Sequence, residues 1–282
     1  MDINDEALTR IHSTLIEILD EIVRICELHN LRYYLIGGTL LGAIRHAGFI
    51  PWDDDLDIVM PRKDYESLMC LCETELDEAY YLQSYRNEPD FWLPFSKVRK
   101  KNTLFLENQA PVNFSLKKMG IFVDVFPLDD AKKERGFQRV QWKLFRLFRV
   151  MQDAKYPNTQ VSGFCHFLSA FFSNQKLLRL QQWAMKLANE ESKTYYVNFG
   201  SQYGIRKQTI AKDRYDPPTK VKFEGKKYNA PCDWDYFLKR IYGGSYMEIP
   251  SPEKRAMYPS HTIKRLSFDM TDPNETFENI VF

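Results

Sequence analysis

Three aspartates, Asp53, Asp55 and Asp57, alternate along Asp53-Asp54-Asp55-Leu56-Asp57, and the residues that follow, Ile58-Val59-Met60, are apolar without a break. Such a run reads as a strand, in which residues two apart share a face. Asp55 and Asp57 then point the same way, joined by Asp53 if the strand starts early. Ionised carboxylates held side by side repel, and an array that stays charged at neutral pH calls for a divalent cation between its members. Asp54 points the other way and reads as structural. A further acid, Asp124, interrupts the apolar run Ile121 to Phe126. An unpaired carboxylate inside a strand is costly to bury, so Asp124 needs a partner. That partner is a metal shared with Asp55 and Asp57, or a salt bridge to a nearby cation such as Lys97 or Arg99.

Upstream, Gly37-Gly38 separates the apolar, aromatic stretch Arg32 to Ile36 from Thr39 to Arg45. The first reads as a short buried strand and the second as the start of a helix. Backbone N–H groups at a helix start, unobstructed by side chains at either glycine, can cradle a phosphate. Taken alone, a tight turn that needs glycine only for its geometry is the better reading, because neither G-x-x-x-x-G-K-[ST] nor G-x-G-x-x-G is present. The acidic strand downstream reverses that balance. A calcium loop is excluded: the position that demands glycine is Ile58, and Pro61 stands where the loop would continue.

Glycine pair and carboxylates together suit phosphoryl or nucleotidyl transfer. A cation held by Asp55, Asp57 and Asp124 would neutralise a diphosphate and lower the pKa of a coordinated hydroxyl. Mg²⁺ fits an all-oxygen set, with Mn²⁺ as a substitute. Arg45, His46, Lys97, Arg99 and Lys100 are candidates for holding donor phosphates. His46 is also a candidate general base, or simply the cap of the preceding helix. Trp52, Trp92 and the tyrosines offer material for a cage around a quaternary ammonium. With 15% aromatic residues there are too many ordinary core positions to assign one.

The elements that must position these groups follow from periodicity. Ile11, Leu15, Ile18, Ile22 and Ile25 predict an amphipathic helix over 5–29, and Pro61 to Cys72 predicts the next. Strands are expected near Tyr80 to Gln83, Pro94 to Arg99 and Ile121 to Phe126. From Ala131 to Val150, seven Lys and Arg residues face the single acid Glu134, with Phe137, Val140, Leu144, Leu147 and Phe148 at helical spacing. Such a helix either lies on an anionic membrane surface or packs on the core with a solvated basic face, the second being the commoner arrangement. Gly163 to Leu187 continues helical, with Phe164, Phe167, Phe171 and Phe172 clustered. Tyr195 to Phe199 and Lys220 to Phe223 read as strands, FEGKKY as a hairpin, and Asp233 to Tyr242 as a helix stopped by Gly243-Gly244.

Composition bounds the rest. A chain of 282 residues with 44% apolar residues can build a sizeable core, and 39 Lys+Arg against 38 Asp+Glu gives +1, which argues against a general nucleic-acid binder. The acidic start is unlike a secretory signal, and no apolar run approaches the ~20 residues of a membrane span. Five scattered cysteines, only Cys70 and Cys72 close together, read as reduced thiols rather than a zinc site. A cytoplasmic protein, with possible access to the inner membrane surface through the basic helix, is expected.

Three words of this sequence, LIGGTLLGAIRHAGFIPWDDDLDIVMPRKDYESL (Leu35 to Leu68), SKVRKKNT (Ser96 to Thr103) and GIFVDVFPLD (Gly120 to Asp129), resemble the LicD family. A weaker match runs from FEGKKYNAPCDWDYFLKRIYGG to the closing segment with His261. The resemblance covers most of the chain. It implies a nucleotidyltransferase-like α/β (α+β) fold, a mixed sheet with helices packed on it, plus a helical insertion and a small C-terminal lobe. Residues 1–130 would be the catalytic core, 131–190 the basic helical region and 191–282 the segment completing the acceptor side. The implied activity is Mg²⁺-dependent transfer of phosphocholine from CDP-choline, or of a related group from another CDP-alcohol, to a sugar hydroxyl. The acceptor would be a glycan precursor of the teichoic acid or lipopolysaccharide type, lipid-linked, and CMP would leave. The implied catalytic residues are Asp55, Asp57, Asp124 and His46, and the metal ligands Asp53, Asp55, Asp57 and Asp124. Gly37, Gly38, Thr39, Arg45, Lys97 and Arg99 would hold the donor. Two alternatives stand beside this: a nucleotidyltransferase that adds NMP to a small acceptor and releases pyrophosphate, and a silent nucleotide- or glycan-binding module.

Overall fold

The computed structural model describes residues 3–89, 91–107, 115–156, 161–189, 194–256, 262–272 and 276–281. Helix α1 (Ile3–Leu28) forms as its periodicity predicts, and the stripe from Ile11 to Ile25 is buried against the sheet. Strand β1 (Tyr34–Leu35) leads into α2 (Gly37–His46), followed by β2 (Asp57–Pro61), α3 (Arg62–Glu75), β3 (Tyr80–Gln83), β4 (Ser96–Lys100), β5 (Leu104–Glu107) and β6 (Phe122–Ala131). Three helices come next, α4 (Arg135–Asp153), α5 (Gly163–Ser169) and α6 (Asn174–Met185). The chain then forms β7 (Tyr195–Val197), α7 (Gly204–Gln208), β8 (Thr209–Ala211), β9 (Thr219–Phe223) and β10 (Lys226–Ala230). It closes with α8 (Trp234–Tyr242), α9 (Pro252–Ala256), β11 (Thr262–Ser267) and β12 (Thr276–Val281).

The fold is the mixed α/β arrangement expected. Its main sheet runs β1-β2-β6-β4-β3, with β7 and β8 continuing from the far end of β6. Strands β2 and β6 pair in parallel, while β1, β4 and β3 join antiparallel. Strand β6 is the axis of the molecule, and along it only Asp124 and Asp130 are less than fully buried. Because β7 and β8 come from beyond residue 191, and β11 pairs with β5, the C-terminal segment is built into the sheets of the N-terminal one.

Several boundaries differ from the sequence expectation, each for a local reason. Strand β2 begins only at Asp57, although the Leu56 carbonyl already accepts the Asp124 N–H at 3.0 Å, so pairing starts one residue before the strand. The stretch 163–187 is broken because the Ser173 hydroxyl accepts the Lys176 N–H and starts a new helix, α6. The hairpin β9-β10 turns on Glu224 and Gly225, whose φ values of 46° and 76° are both positive, as the twist of a two-residue hairpin requires. The basic helix α4 packs its apolar side on the core, with Phe145 and Trp142 against Phe199.

Candidate active site

Helix α2 starts directly above the first residue of β2. Ile36 precedes it and provides no side-chain cap, so the first-turn N–H groups are left for another acceptor. Gly37 has φ +59°, in the left-handed region, and a Cβ there would lie 3.3 Å from the Asp57 Oδ2. At Gly38 an added Cβ would come within 2.5 Å of the Asp53 Oδ2. The glycine pair is therefore required by close approach of two carboxylates as well as by the turn. Thr39, buried, accepts the Asp57 N–H through its hydroxyl at 2.9 Å and fixes where the strand begins. Thr39→Val keeps the shape but leaves that N–H without an acceptor, a loss of about 1–3 kcal/mol. The expected result is a lower urea midpoint with an unchanged slope, restored by Thr39→Ser.

The parallel register puts Asp57 directly beside Asp124. The Asp57 carboxyl is pushed well above the usual carboxylate range, first by burial, then by the charges of Asp55, Asp124 and Asp53, with Lys97 opposing. Asp124 is raised by burial too, against the attraction of Lys97. The cation alternative for Asp124 is realised: Lys97 lies opposite it in β4, and its Nζ stands 2.8 Å from the Asp124 Oδ1. Lys97 is itself 4% exposed and lies 3.3 Å above the centre of the Phe122 ring.

Support for the acidic segment comes from elements far away in sequence. His12 of α1 donates from Nε2 to the Asp53 carbonyl at 2.6 Å, while its ring stacks on Phe49 at 3.9 Å. Burial lowers its pKa, which favours the neutral ring. From the other side the hairpin tip holds the loop after α2: Glu224 Oε1 accepts the Phe49 N–H at 2.9 Å. Tyr203 and Tyr242 pack edge to face at 5.8 Å and interact through their hydroxyls. Burial raises both phenols; each then feels the other tyrosine before the acidic cluster, whose charges on Asp57 and Asp53 push both higher. No sequence pattern singled out His12, Glu224, Tyr203 or Tyr242, because nothing in the spacing of an isolated histidine or tyrosine tells which face of the sheet it reaches.

The structure thus brings together Gly37, Gly38, Thr39, Asp53, Asp55, Asp57, Lys97 and Asp124. Arg45 and His46 stand elsewhere, and Arg99, although its charge is felt by Asp124, gives its hydrogen bonds to other groups. Arg99 is fully buried, donating to Gln83 Oε1 and to the Gly120 carbonyl, each at 2.6 Å, which makes it a brace between β4, β3 and the approach to β6. Arg45 reaches the Tyr246 and Glu248 carbonyls at 3.0 and 3.3 Å. His46 closes α2, about 12 Å along the helix axis from the glycine pair, and its Nε2 accepts from the Arg45 Nε at 2.9 Å. Burial, then the Arg45 charge, lowers its affinity for a proton. His261 lies outside the described residues.

As a ligand set, carboxylate oxygens alone suit a hard divalent cation, and the mutual repulsion at Asp57 is what such an ion would relieve. As the side chains stand, no group of three or more His, Cys, Asp or Glu among the described residues is arranged to hold a metal ion.

Residues 30–165 match a family model described as LicD/FKTN/FKRP, nucleotidyltransferase domain. The chain is 26% identical over 247 residues to the lipopolysaccharide cholinephosphotransferase LicD of Haemophilus influenzae, covering 84% of this chain and 90% of that protein. It is 36% identical over 75 residues to the ribitol 5-phosphate transferase FKRP of Mus musculus, covering 25% of this chain and 15% of that one. The same values hold for the human FKRP.

Proposed function

From the premise that this chain is a phosphotransferase of the LicD family, we propose that it moves phosphocholine from CDP-choline to a sugar hydroxyl of a cell-surface glycan precursor. The observation that carries the reading is the in-register pair Asp57 and Asp124 at the foot of an uncapped helix start. The acceptor oxygen forms a bond to the choline-bearing phosphorus, the P–O–P bridge breaks, and CMP leaves with the bridging oxygen. The similarity to a cholinephosphotransferase acting on lipopolysaccharide supports both the choline and the glycan. The shorter similarity to a ribitol 5-phosphate transferase makes CDP-ribitol the chief competitor as donor. A teichoic acid precursor would satisfy the same site. A lipid-linked acceptor would be met at the cytoplasmic membrane face.

In this reading the first-turn N–H groups at Gly37, Gly38 and Thr39 bind donor phosphate oxygens beside the Asp53 and Asp57 carboxylates, whose charge a bound cation would neutralise. Lys97 contributes the positive charge beside Asp124. Asp53, Asp55 and Asp57, with Asp124, would hold Mg²⁺ or Mn²⁺, which when bound supplies charge neutralisation and polarises phosphoryl oxygens. Carboxylates of this cluster are also the nearest bases to receive the acceptor proton. His46, tied to Arg45, takes no part.

A thermal-shift panel tests the proposal, comparing CDP-choline, CDP-ribitol, CDP-glycerol and CTP, each with Mg²⁺ and with EDTA. Ligand binding to the native state at one hundred times Kd adds about 2.7 kcal/mol of stability. A Mg²⁺-dependent rise of the midpoint with CDP-choline alone is expected. A response to CTP alone would favour nucleotidyl transfer, and no response to any nucleotide would favour a silent binding module.

A further inference from the structure

The helical region between β6 and β7 carries a surface that the transfer reaction does not use. Helix α4 buries Gln141, Phe145, Met151 and Gln152, and Gln141 donates to the Ala184 and Met185 carbonyls of α6, both at 2.9 Å. That side of the helix is therefore occupied. On its opposite side Arg135, Arg139, Lys143 and Arg146 are exposed at spacings of four, four and three residues, which makes them one stripe. Apolar residues stand beside this stripe in solvent: Val140 is 59% and Leu147 44% exposed. A basic helix that only solvated its outer face would have no reason to place a valine and a leucine among the cations.

Helix α5, which packs on α4, repeats the anomaly in stronger form. Phe164, Phe167 and Phe171 are 68%, 62% and 67% exposed. Phe164 and Phe167, three residues apart, share a face of α5, and Phe171, in the turn just after the helix, meets the Phe167 ring edge to face at 5.1 Å. Three phenylalanines offered to water within eight residues of chain mark a surface that is covered in use. Among the described residues, no helix is long and apolar enough to cross a membrane.

We infer that α4 and α5 form a docking face for an anionic lipid bilayer, with the α5 phenylalanines inserted among the acyl chains and the α4 cations on the headgroups. Charge decides between a bilayer and a protein partner. From Ala131 to Val150 seven cations face one acid, whereas the whole chain is balanced at +1, so the positive charge is concentrated where the apolar side chains emerge. Cations beside protruding aromatics are what an anionic interface selects. This inference stands apart from the choice of donor and acceptor, and its test uses no nucleotide.

The full chain is mixed with vesicles of phosphatidylcholine alone or of phosphatidylcholine with phosphatidylglycerol, and bound protein is measured by flotation. Binding is expected only to the anionic vesicles and should fall as salt is raised. Replacing Arg139, Lys143 and Arg146 together by Ala should lower partitioning by about 100-fold, at ~5-fold for each cation. Phe164→Ser, Phe167→Ser and Phe171→Ser combined should abolish binding while leaving the melting temperature unchanged, since these rings are exposed. Phe167→Trp gives a second readout, a blue-shifted emission on binding. A wild-type chain that ignores anionic vesicles overturns the inference, as does a triple Ser variant that floats like wild type. Self-association through the phenylalanine face without vesicle binding would overturn it in favour of a protein interface.

Discussion

Asp57→Asn should lower the proposed phosphocholine transfer by more than the ~10–100-fold that loss of an outer metal-site partner costs, and at the same time raise the melting temperature of the metal-free protein. The two effects have one origin. Asp57 is held in a position where its charge is unwelcome: burial raises its pKa first, and the charges of Asp55, Asp124 and Asp53 raise it further. A carboxyl kept in that state without a compensating cation destabilises the fold, and in the proposed reaction its charge is what would hold the cation. Asparagine keeps the shape and removes the charge.

The sign of the pH dependence follows. The folded state holds the Asp57 proton more tightly than the unfolded state, so in EDTA stability falls as pH rises from the ordinary carboxylate value through the raised one. Thermal melts of the wild type across that window should slope downward, and the Asn variant should lack this part of the slope. Excess Mg²⁺ should flatten the wild-type curve and leave the variant unmoved. An Asn variant with full activity would remove Asp57 from the reaction, and a variant that melts lower than wild type would show that the cluster is not repulsive.

Much of this site was legible before any coordinates, and the reason is local. Gly37-Gly38, Thr39 and the alternating aspartates occupy twenty-one consecutive positions, 37–57, in which a helix start and a strand start are each written in residue type. Asp124 was legible because a single acid in an apolar strand demands a partner. Its partner was not decidable, since choosing between a metal and Lys97 depends on which strand lies beside β6, and pairing order is a long-range property. Arg99 illustrates the opposite failure. Two residues from Lys97 on the same strand face, it has the same chemistry in the sequence, yet Gln83 and the Gly120 carbonyl claim it in the fold. His12, Glu224, Tyr203 and Tyr242 reach the site from α1, the β9-β10 hairpin, the turn before α7 and the end of α8, so only the assembled sheet reveals them. In α4 the basic and apolar periodicities were both plain, but the buried and exposed apolar residues were not distinguishable, and the inference about the membrane rests on that distinction.

Arg62→Met should cost about 3–5 kcal/mol of stability, a fall of about 10 °C in melting temperature for a domain of this size. Arg62 opens α3 immediately after β2, and Asp129 lies near the end of β6. Their side chains meet in a two-point contact, with Nε to Oδ1 at 2.7 Å and Nη2 to Oδ2 at 2.6 Å, at exposures of 9% and 0%. Gln182 accepts from Arg62 at 3.0 Å and Asn189 donates to Asp129 at 2.9 Å, which ties the helical region to the same point. The pair clamps the ends of two parallel strands whose beginnings carry Asp57 and Asp124, so it maintains the register on which the site depends. Burial already raises the Asp129 pKa despite the attraction of Arg62. Without the guanidinium that carboxyl is raised further, and the variant should lose more stability at neutral than at mildly acidic pH. Adding Asp129→Leu to Arg62→Met removes the stranded charge and should restore part of the loss. It cannot restore all of it, because Gln182 Oε1 and Asn189 Nδ2 are then left without these partners. If the single and double variants melt alike, the stranded carboxylate is not the source of the cost, and the clamp acts through packing of the long Arg62 side chain, which lies 5.4 Å from the centre of the Tyr65 ring.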